Sequence, residues 1–379
     1  MNDPVDWGLA ERVAARVASN QPGPPWDPRS LGQTATDAAS VAEPLVASWT
    51  GLVSPHGAAN VMVVSRAQWA QTNVRTFRRM LQPITEELAP KLARSKSAAA
   101  LTGRIAGAEL GTVLGWLSRR VLGQYDLLMA GQPADADADP GATRATDAPD
   151  ATDAAGADGS GGDTVYLVGP NVVDLEARFG FPPSQFRLWV MLHELTHRAQ
   201  FTGVPWMREH YLGLVHEALS LSEMDPAHVM RVMRESVQDR AATKAKLAEG
   251  GLAMLFATPR QQPALARIAG LMALLEGHGD ITMNRAGESA VPEAERFARV
   301  LAARREQTGP IARRLQRLVG FEAKLNQYAS GARFIEFIEA HDPAALRRCW
   351  EAPENLPTME EIRQPTRWLA RMGLQSSAA

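Results

Sequence analysis

The sequence predicts a mainly α-helical protein with one small β element. Apolar residues recur at helical spacing through most of the 379 residues. Residues 164–168 (TVYLV) are the exception, because they combine β-branched and aromatic residues in a short run that glycine and proline then end. Hydrophobic residues make up 45% of the chain, which suffices to build a substantial core.

Charge and cysteine content argue against several classes of function. The chain carries 40 basic and 42 acidic residues, a net charge of −2, which gives no electrostatic reason to expect a nucleic-acid or membrane partner. The single cysteine, Cys349, rules out an internal disulfide framework and fits a reducing compartment. No signal peptide and no run of eighteen apolar residues is visible, so we expect a soluble protein of the cytoplasm.

Residues 1–131 are predicted to form an N-terminal helical region. A short helix is expected over 10–18, a helix with a basic face over 69–80, and a long apolar helix over 105–129. Near the start of the long helix, glycine recurs at every fourth position, at Gly103, Gly107, Gly111 and Gly115. Nearby charges argue against a membrane span, so this glycine stripe is expected to pack closely against another helix.

Residues 132–163 differ sharply in composition from the rest of the chain. They consist largely of Ala, Asp, Gly, Thr and Pro, with no aromatic residue and no aliphatic residue larger than Ala. Such a segment has too little apolar surface to offset the entropy lost on ordering, so it is predicted to be a flexible acidic insert. The remainder, 164–379, is predicted to bind the metal and to pack with the N-terminal region.

After the strand predicted over 164–168, the pattern is again helical. Several of these segments begin with proline near the first turn, as helices favour. Besides the helix that follows this strand, described next, the expected helices cover residues 208–221, 227–247, 263–283, 292–305, 310–318, 322–329, 333–340 and 359–372.

The most specific functional motif lies in residues 191–197, which read MLHELTH and contain the pattern H-E-x-x-H. Residues four apart lie on one face of a helix, so His193 and His197 can direct imidazole nitrogens at a single metal ion. Glu194 lies beside them and can move a proton. This is the arrangement of zinc hydrolases.

The context of the motif favours a buried metal site. Ser184 is the expected helix N-cap, and Gly203 ends the segment. The alternative is two surface histidines beside a solvated glutamate, which would place all three on a polar face. Instead the segment is apolar nearly all round, and buried imidazoles and carboxylates are costly without a metal or hydrogen bonds.

A second segment, 271–280 (LMALLEGHGD), offers the third protein ligand that an open zinc site needs. Glu276 and Asp280 lie one helical turn apart, so one can bind metal while the other holds a ligand histidine through its second ring nitrogen. His278 is the rival ligand. It points to a different side of a regular helix, although the glycines on either side of it could distort the helix enough to bring it in. Alone, the segment also fits a buried helix with a polar end.

Four stretches of the sequence together resemble the zincin-like metallopeptidase family of actinobacteria and their relatives. They are residues 120–126 (RVLGQYD), 191–206 (MLHELTHRAQFTGVPW), 274–280 (LLEGHGD) and 326–334 (NQYASGARF). The run 117–126 is most similar to the subgroup named for its association with deazaflavin coenzyme biosynthesis. The resemblance implies a zincin-like α+β fold in which H-E-x-x-H is the metal motif. The Glu-x-x-x-Asp spacing also resembles the Glu-zincins, which implies that Glu276 is the third ligand and that Asp280 orients a histidine. On this interpretation His278 is not a ligand but one of the residues that surround the ligands.

The motifs and the resemblance predict a zinc-dependent hydrolase, a metallopeptidase or amidase of restricted substrate. One Zn²⁺ per chain would be held by His193, His197 and Glu276, with Glu194 as general base on the metal-bound water. A peptide or small amide is the expected substrate. As in zincins, the edge of a strand beside the site is expected to hold it by backbone pairing, and the 164–168 strand is the candidate, unless it is only structural.

A donor to the developing oxyanion is also expected. Tyr328 is the preferred candidate because it lies in the last of the four stretches; His278, His210 and Tyr211 are the alternatives. A different class of function also fits the sequence, namely a non-catalytic zincin-like binding or scaffold protein whose metal only stabilises the fold. The presence of Glu194 favours the enzyme, because a structural zinc site needs no general base.

Overall fold

The structure is a computed structural model that describes residues 4–20, 23–92, 96–127, 163–219, 257–258, 260–306 and 321–374. Nearly all of the predicted acidic insert, and the helices predicted over 227–247 and 310–318, lie outside the described residues. The described chain is mainly α-helical with one small sheet, which confirms the predicted fold class. None of the described helices is long and apolar enough to cross a membrane.

The sheet and the helices follow one another along the chain. The strands are β1 (Asn60–Val64), β2 (Gly123–Tyr125) and β3 (Thr164–Val168). The helices are α1 (Trp7–Ser19), α2 (Pro28–Thr50), α3 (Arg66–Leu92), α4 (Lys96–Leu117), α5 (Gly169–Phe179), α6 (Pro183–Gly203), α7 (Met207–Leu219), α8 (Gln262–Arg285), α9 (Ala294–Glu306), α10 (Phe321–His341), α11 (Met359–Arg363) and α12 (Pro365–Arg371). Two short 3-10 helices, Ala345–Trp350 and Pro353–Asn355, lie between α10 and α11.

Local chemistry explains where several helices begin. Asp27 caps α2 by accepting hydrogen bonds from main-chain amides of the first turn, which proline opens. Helix α6 begins differently. Pro183 occupies the first turn and Pro182 stands at the N-cap, so no side chain caps the helix and the prediction of Ser184 as N-cap is wrong. Proline lacks an amide hydrogen, so it removes one of the donors that a cap would satisfy.

The three strands form one sheet in the order β1-β3-β2. β3 pairs in parallel with β1 and antiparallel with β2, so it lies between them and offers no free edge. The prediction that β3 holds the substrate along its edge is therefore wrong, because β1 and β2 occupy both of its sides.

The prediction of a long helix over 105–129 is wrong beyond Leu117. There α4 ends, and the chain continues into β2.

The glycine stripe packs α4 directly against α1, as the sequence predicts. A Cβ atom on Gly107 would lie 2.4 Å from the carbonyl oxygen of Asp6, and one on Gly111 would lie 2.4 Å from that of Ala10. A Cβ atom on Gly115 would lie 2.6 Å from the carbonyl oxygen of Ala14. The two backbones thus touch, with small residues on both sides of the contact.

Helix α6 lies in the largest core of the described chain and packs against α2 and α8. Around its first half, four aromatic rings pack against one another, those of Phe181, Phe186, Trp189 and Phe297. On another side of α6, the buried guanidinium of Arg198 binds Glu43 at 2.7 Å and Asp163 at 2.8 Å. These contacts fix the helix that bears the H-E-x-x-H motif on several sides.

Candidate metal centre

Helix α6 brings the two histidines of the motif together. Because the helix is regular from Pro183 to Gly203, His193 and His197 lie one turn apart on the same face. Their ring centroids are 4.6 Å apart, and their Nε2 atoms are 3.1 Å apart. The rings are half-buried and nearly perpendicular. The short separation of the two Nε2 atoms lets both reach a single ion.

Helix α8 adds a carboxylate to this pair. Oε2 of Glu276 lies 3.5 Å from Nε2 of His193 and 3.6 Å from Nε2 of His197. Within the described ranges, these three residues form the one group of His, Cys, Asp or Glu side chains that is close enough to hold a metal ion. The group is the one predicted from the sequence.

The spacing of these atoms fits a tetrahedral metal ion. Ligand atoms about 2.1 Å from a tetrahedral zinc ion are separated by about 3.4 Å. The three separations of 3.1, 3.5 and 3.6 Å are close to that value. Two imidazoles and one carboxylate leave the fourth position to water, which is the pattern of catalytic zinc sites.

Glycine residues let α8 pack closely against both α6 and α10. A Cβ atom on Gly279 would lie 3.0 Å from Cε1 and Nδ1 of His193, so a larger residue would press on the ligand. On α10, a Cβ atom on Gly331 would lie 1.8 Å from the carbonyl oxygen of Ala273, and one on Gly277 would lie 2.3 Å from the carbonyl carbon of Gly331. The glycines beside His278 therefore serve close packing. They do not distort α8, which stays helical throughout.

His278 is not a member of the ligand group. Its Nδ1 atom lies 2.9 Å from Nε2 of Gln200, and its ring packs 5.1 Å from that of Trp350. Burial, helped by the nearby His197, lowers the pKa of His278 to about 4, so the ring is neutral at pH 7. The structure thus places His278, the alternative ligand, outside the ligand group and in contact with Gln200, which supports His197.

Acidic groups surround His193. Burial alone would lower its pKa, but a hydrogen bond with Glu276 and the charges of Glu194, Glu276 and Asp280 outweigh it and raise the pKa to about 9. Asp280 Oδ1 lies 3.8 Å from His193 Nδ1, which is beyond hydrogen-bond length. Without a metal, His193 therefore holds a proton that metal binding would release.

Strand β2 positions Glu194. The carboxylate is buried and accepts a hydrogen bond from the main-chain amide of Tyr125. A Cβ atom on Gly123 would lie 2.6 Å from Cγ and 2.7 Å from Oε1 of Glu194, so glycine leaves the space that this side chain occupies. Burial raises the pKa of Glu194, while His193 and His197 act to lower it. Sequence reasoning missed this anchor because it consists of the backbone of a three-residue strand.

A second residue missed by sequence reasoning is Gln200. It is fully buried, and its Oε1 atom lies 2.9 Å from Nδ1 of His197. Its Nε2 atom donates to the carbonyl oxygen of Leu275 at 3.0 Å. Gln200 follows His197 by three positions, so helical periodicity places both on one face; extending the motif by three residues would have found it.

None of the proposed oxyanion donors whose side chains the structure describes belongs to the ligand group. Tyr328 lies in α10, but its side chain is outside the described part of the structure, so its role stays a prediction. His210 and Tyr211 lie in α7. Their rings pack 5.8 Å from those of Trp206 and Phe201, respectively.

Comparisons with known proteins bear on the fold and the site together. None of the curated proteins matches the chain. A solved structure of a candidate hydrolase with a novel fold from Chloroflexus aurantiacus is 27% identical, covers 98% of this chain and 100% of that chain, and has a TM-score of 0.68. The family described as zincin-like metallopeptidases matches residues 5–369. Since this match spans nearly the whole chain and includes both helices that form the His-His-Glu group, the chain belongs to the zincin-like metallopeptidase family.

Proposed function

We propose that the protein is a zinc-dependent hydrolase, a metallopeptidase or amidase of restricted substrate. One observation supports this best: three ligand atoms from His193, His197 and Glu276 lie at tetrahedral spacing, with the buried carboxylate of Glu194 next to them in sequence. A structural zinc site would be expected to have four protein ligands and no adjacent acid or base.

The residues of the site have separate roles in the proposed reaction. One zinc ion per chain, bound by the His-His-Glu group, would lower the pKa of a water molecule toward 7 and polarise the substrate carbonyl. Glu194 would take the proton of that water and pass it to the leaving amine. General acid–base catalysis of this kind typically contributes about 10²- to 10⁴-fold to the rate. Burial, which raises the pKa of Glu194, suits a group that must both accept and return a proton.

Strand β2 is the proposed docking edge for an extended peptide. The carbonyl oxygen of Leu122 and the amide of Asp126 bond to β3, so in an antiparallel pair Gly123 and Tyr125 direct their main-chain groups away from β3. That side faces Glu194, because the Tyr125 amide donates to its carboxylate. Main-chain pairing at Gly123 would place a scissile amide beside the base and the ligand group.

The substitution Glu194→Gln tests the proposal. We expect zinc to stay bound, because Glu194 is not a ligand, and hydrolysis of a library of peptides and small amides to fall by at least about 100-fold. Zinc content by mass spectrometry and initial rates measure the two effects. The matched control is Glu295→Gln, which changes an exposed glutamate of α9 and should leave both unchanged.

A different result would contradict the proposal that the protein is an enzyme. If the wild type binds zinc, yet it and the Glu194→Gln variant behave alike in every hydrolytic assay, the metal centre serves binding or stability instead of catalysis. Several further points stay predictions that the hydrolase proposal does not require. They are the substrate class, the cytoplasmic location, the absence of nucleic-acid and membrane partners, the role of Tyr328 and the resemblance to the subgroup named for deazaflavin coenzyme biosynthesis.

A further inference from the structure

The side chain of Gln200 is enclosed between the two helices that form the metal centre. It is fully buried and makes three polar contacts, one to each of His197, Leu275 and His278. His197 belongs to α6, whereas Leu275 and His278 flank Glu276 on α8. Gln200 therefore connects one ligand to the helix segment that bears another.

The contact with Leu275 fixes which way the amide points. A carbonyl oxygen can only accept a hydrogen bond, so the amide nitrogen of Gln200 must be the atom that faces Leu275, at 3.0 Å. The amide oxygen then faces Nδ1 of His197, at 2.9 Å. Because an amide oxygen can only accept, Nδ1 of His197 must carry the hydrogen.

This assignment determines the chemistry of the ligand. With its hydrogen on Nδ1, neutral His197 has its lone pair on Nε2, the atom that lies 3.6 Å from Oε2 of Glu276 and 3.1 Å from Nε2 of His193. The other amide hydrogen of Gln200 faces Nδ1 of His278, at 2.9 Å, so this atom accepts and the ring of His278 is neutral. The amide oxygen and both amide hydrogens of Gln200 are thus used.

We propose that Gln200 is a positioning residue that holds His197 in the metal-binding tautomer and ties it to the helix bearing Glu276. This inference rests on the proposed metal site and adds a residue to it. A carboxylate in place of the amide would still accept from His197, but it could not donate to Leu275 or His278, and it would bury a further negative charge. The two ligand histidines thus differ in support, since Nδ1 of His193 has a carboxylate of Asp280 at 3.8 Å and no hydrogen bond.

Zinc affinity and the tautomer of His197 test this role in the full-length protein. In Gln200→Leu, which removes every polar contact at similar volume, we expect the zinc dissociation constant to rise about 10- to 100-fold, as when other outer partners of ligand histidines are removed. Competition with a chromophoric chelator measures it. Gln200→Glu keeps the acceptor for His197 and should recover part of the affinity. Gln185→Leu on the same helix, which removes a bond to the Glu293 amide, is the matched control and should bind zinc normally.

Nitrogen NMR of the metal-free protein gives a readout that packing alone would not change. We expect the hydrogen of His197 on Nδ1 in the wild type and in Gln200→Glu, and a shift toward Nε2 in Gln200→Leu; the His197→Gln variant assigns the signals. A wild-type hydrogen on Nε2, or unchanged zinc affinity in Gln200→Leu, would overturn the inference. If Gln200→Leu does not fold, the wild type and Gln200→Glu still decide. A protein that binds zinc as expected but hydrolyses nothing would contradict the proposed function and leave Gln200 in its role.

Discussion

Single residues decide which atoms form the candidate metal centre. Glu276 has its carboxylate within 3.6 Å of both histidine Nε2 atoms, whereas His278 contacts Gln200 behind them. We therefore expect about one zinc per chain in the wild type, loss of zinc in Glu276→Ala and retention of zinc in His278→Ala. Mass spectrometry of untagged protein measures the content. A wild type that takes up no metal on titration would rule out the hydrolase mechanism.

Substitution of Gly123 separates the effect of the proposed base, Glu194, from that of the proposed metal ligands. Its Cβ atom would lie 2.6 to 2.8 Å from Cγ, Oε1 and Cδ of Glu194, so Gly123→Ala should displace the carboxylate. We expect hydrolysis to fall by about 10²-fold, the cost of a displacement near 1 Å, with zinc content unchanged. Gly213→Ala on α7 adds a methyl group with no atom within 4 Å and is the control. Full activity in Gly123→Ala would contradict the contact between β2 and the base.

The sequence predicts the ligand group but not its supports. Helical periodicity predicts that His193 and His197 share one face of a helix. Glu276 lies on a separate helix, and its choice as third ligand comes from the resemblance to the Glu-zincins. Gln200 could be predicted in the same way as the two histidines, because it follows His197 by three positions on the same helix. The contacts of Gly123 and Gly279 could not be predicted, because they depend on how close a strand or a second helix comes in three dimensions.

At the level of secondary-structure elements, local pattern predicts helices better than strands. Most predicted helices exist, although residues 322–329 and 333–340 belong to the single helix α10, and the helix predicted over 359–372 is divided before Pro365. Strands β1 and β2 were missed within the region predicted to be helical. β1 has the β-branched residues of a strand, but β2 has only three residues, so its partner strand and not its composition defines it.

The contact between α1 and α4 gives a test at this level. In Gly111→Ala, a methyl carbon would lie 2.4 Å from the carbonyl oxygen of Ala10, so we expect a loss of about 1 to 3 kcal/mol in unfolding free energy. Gly32→Ala is the matched control. Gly32 lies inside α2 with no atom within 4 Å of the added carbon, so this change should stabilise by about 0.5 to 1 kcal/mol. Urea denaturation compares them; equal effects in both variants would contradict direct backbone packing.

In the whole molecule, one core joins the two predicted regions of the chain. Side chains of α2 and of α6 to α9 share it, and Arg198 adds ion pairs to Glu43 and Asp163. Asp163 is the last residue of the acidic insert predicted from composition, yet it is half-buried beside Arg198. Composition does not reveal such a contact, because the partner lies 35 residues away. The predicted division at residues 131 and 164 stays a prediction.

Overall stability should depend on pH through His278. Its pKa is about 4 in the folded protein and about 6.5 in the unfolded chain, so between these values only the unfolded state binds the proton. The stability that the neutral ring provides is complete above pH 6.5. It should fall as the pH drops toward 4, by up to about 1.4 kcal/mol per pH unit.

Thermal unfolding of metal-free protein between pH 7 and pH 4.5 measures this dependence. His278→Gln should show a shallower decline of the melting temperature than the wild type, because it removes the group that titrates. His56→Gln changes an exposed histidine, and it should follow the wild type. Parallel curves for all three proteins would show that the pKa of His278 does not differ between the folded and unfolded states.

The glycine contacts on α8 also bear on the size of ion that the centre can accept. Gly279 lies against the ring of His193 and Gly277 against Gly331, so α8 is in close contact with a histidine of α6 on one side and with the backbone of α10 on the other. A calcium ion, with six to eight oxygen ligands at about 2.3 to 2.6 Å, would force the helices apart. Ions of similar radius to zinc would enter without that cost. Changing the metal preference of this protein would therefore start with the spacing between α6 and α8, before any of the three proposed ligands is replaced.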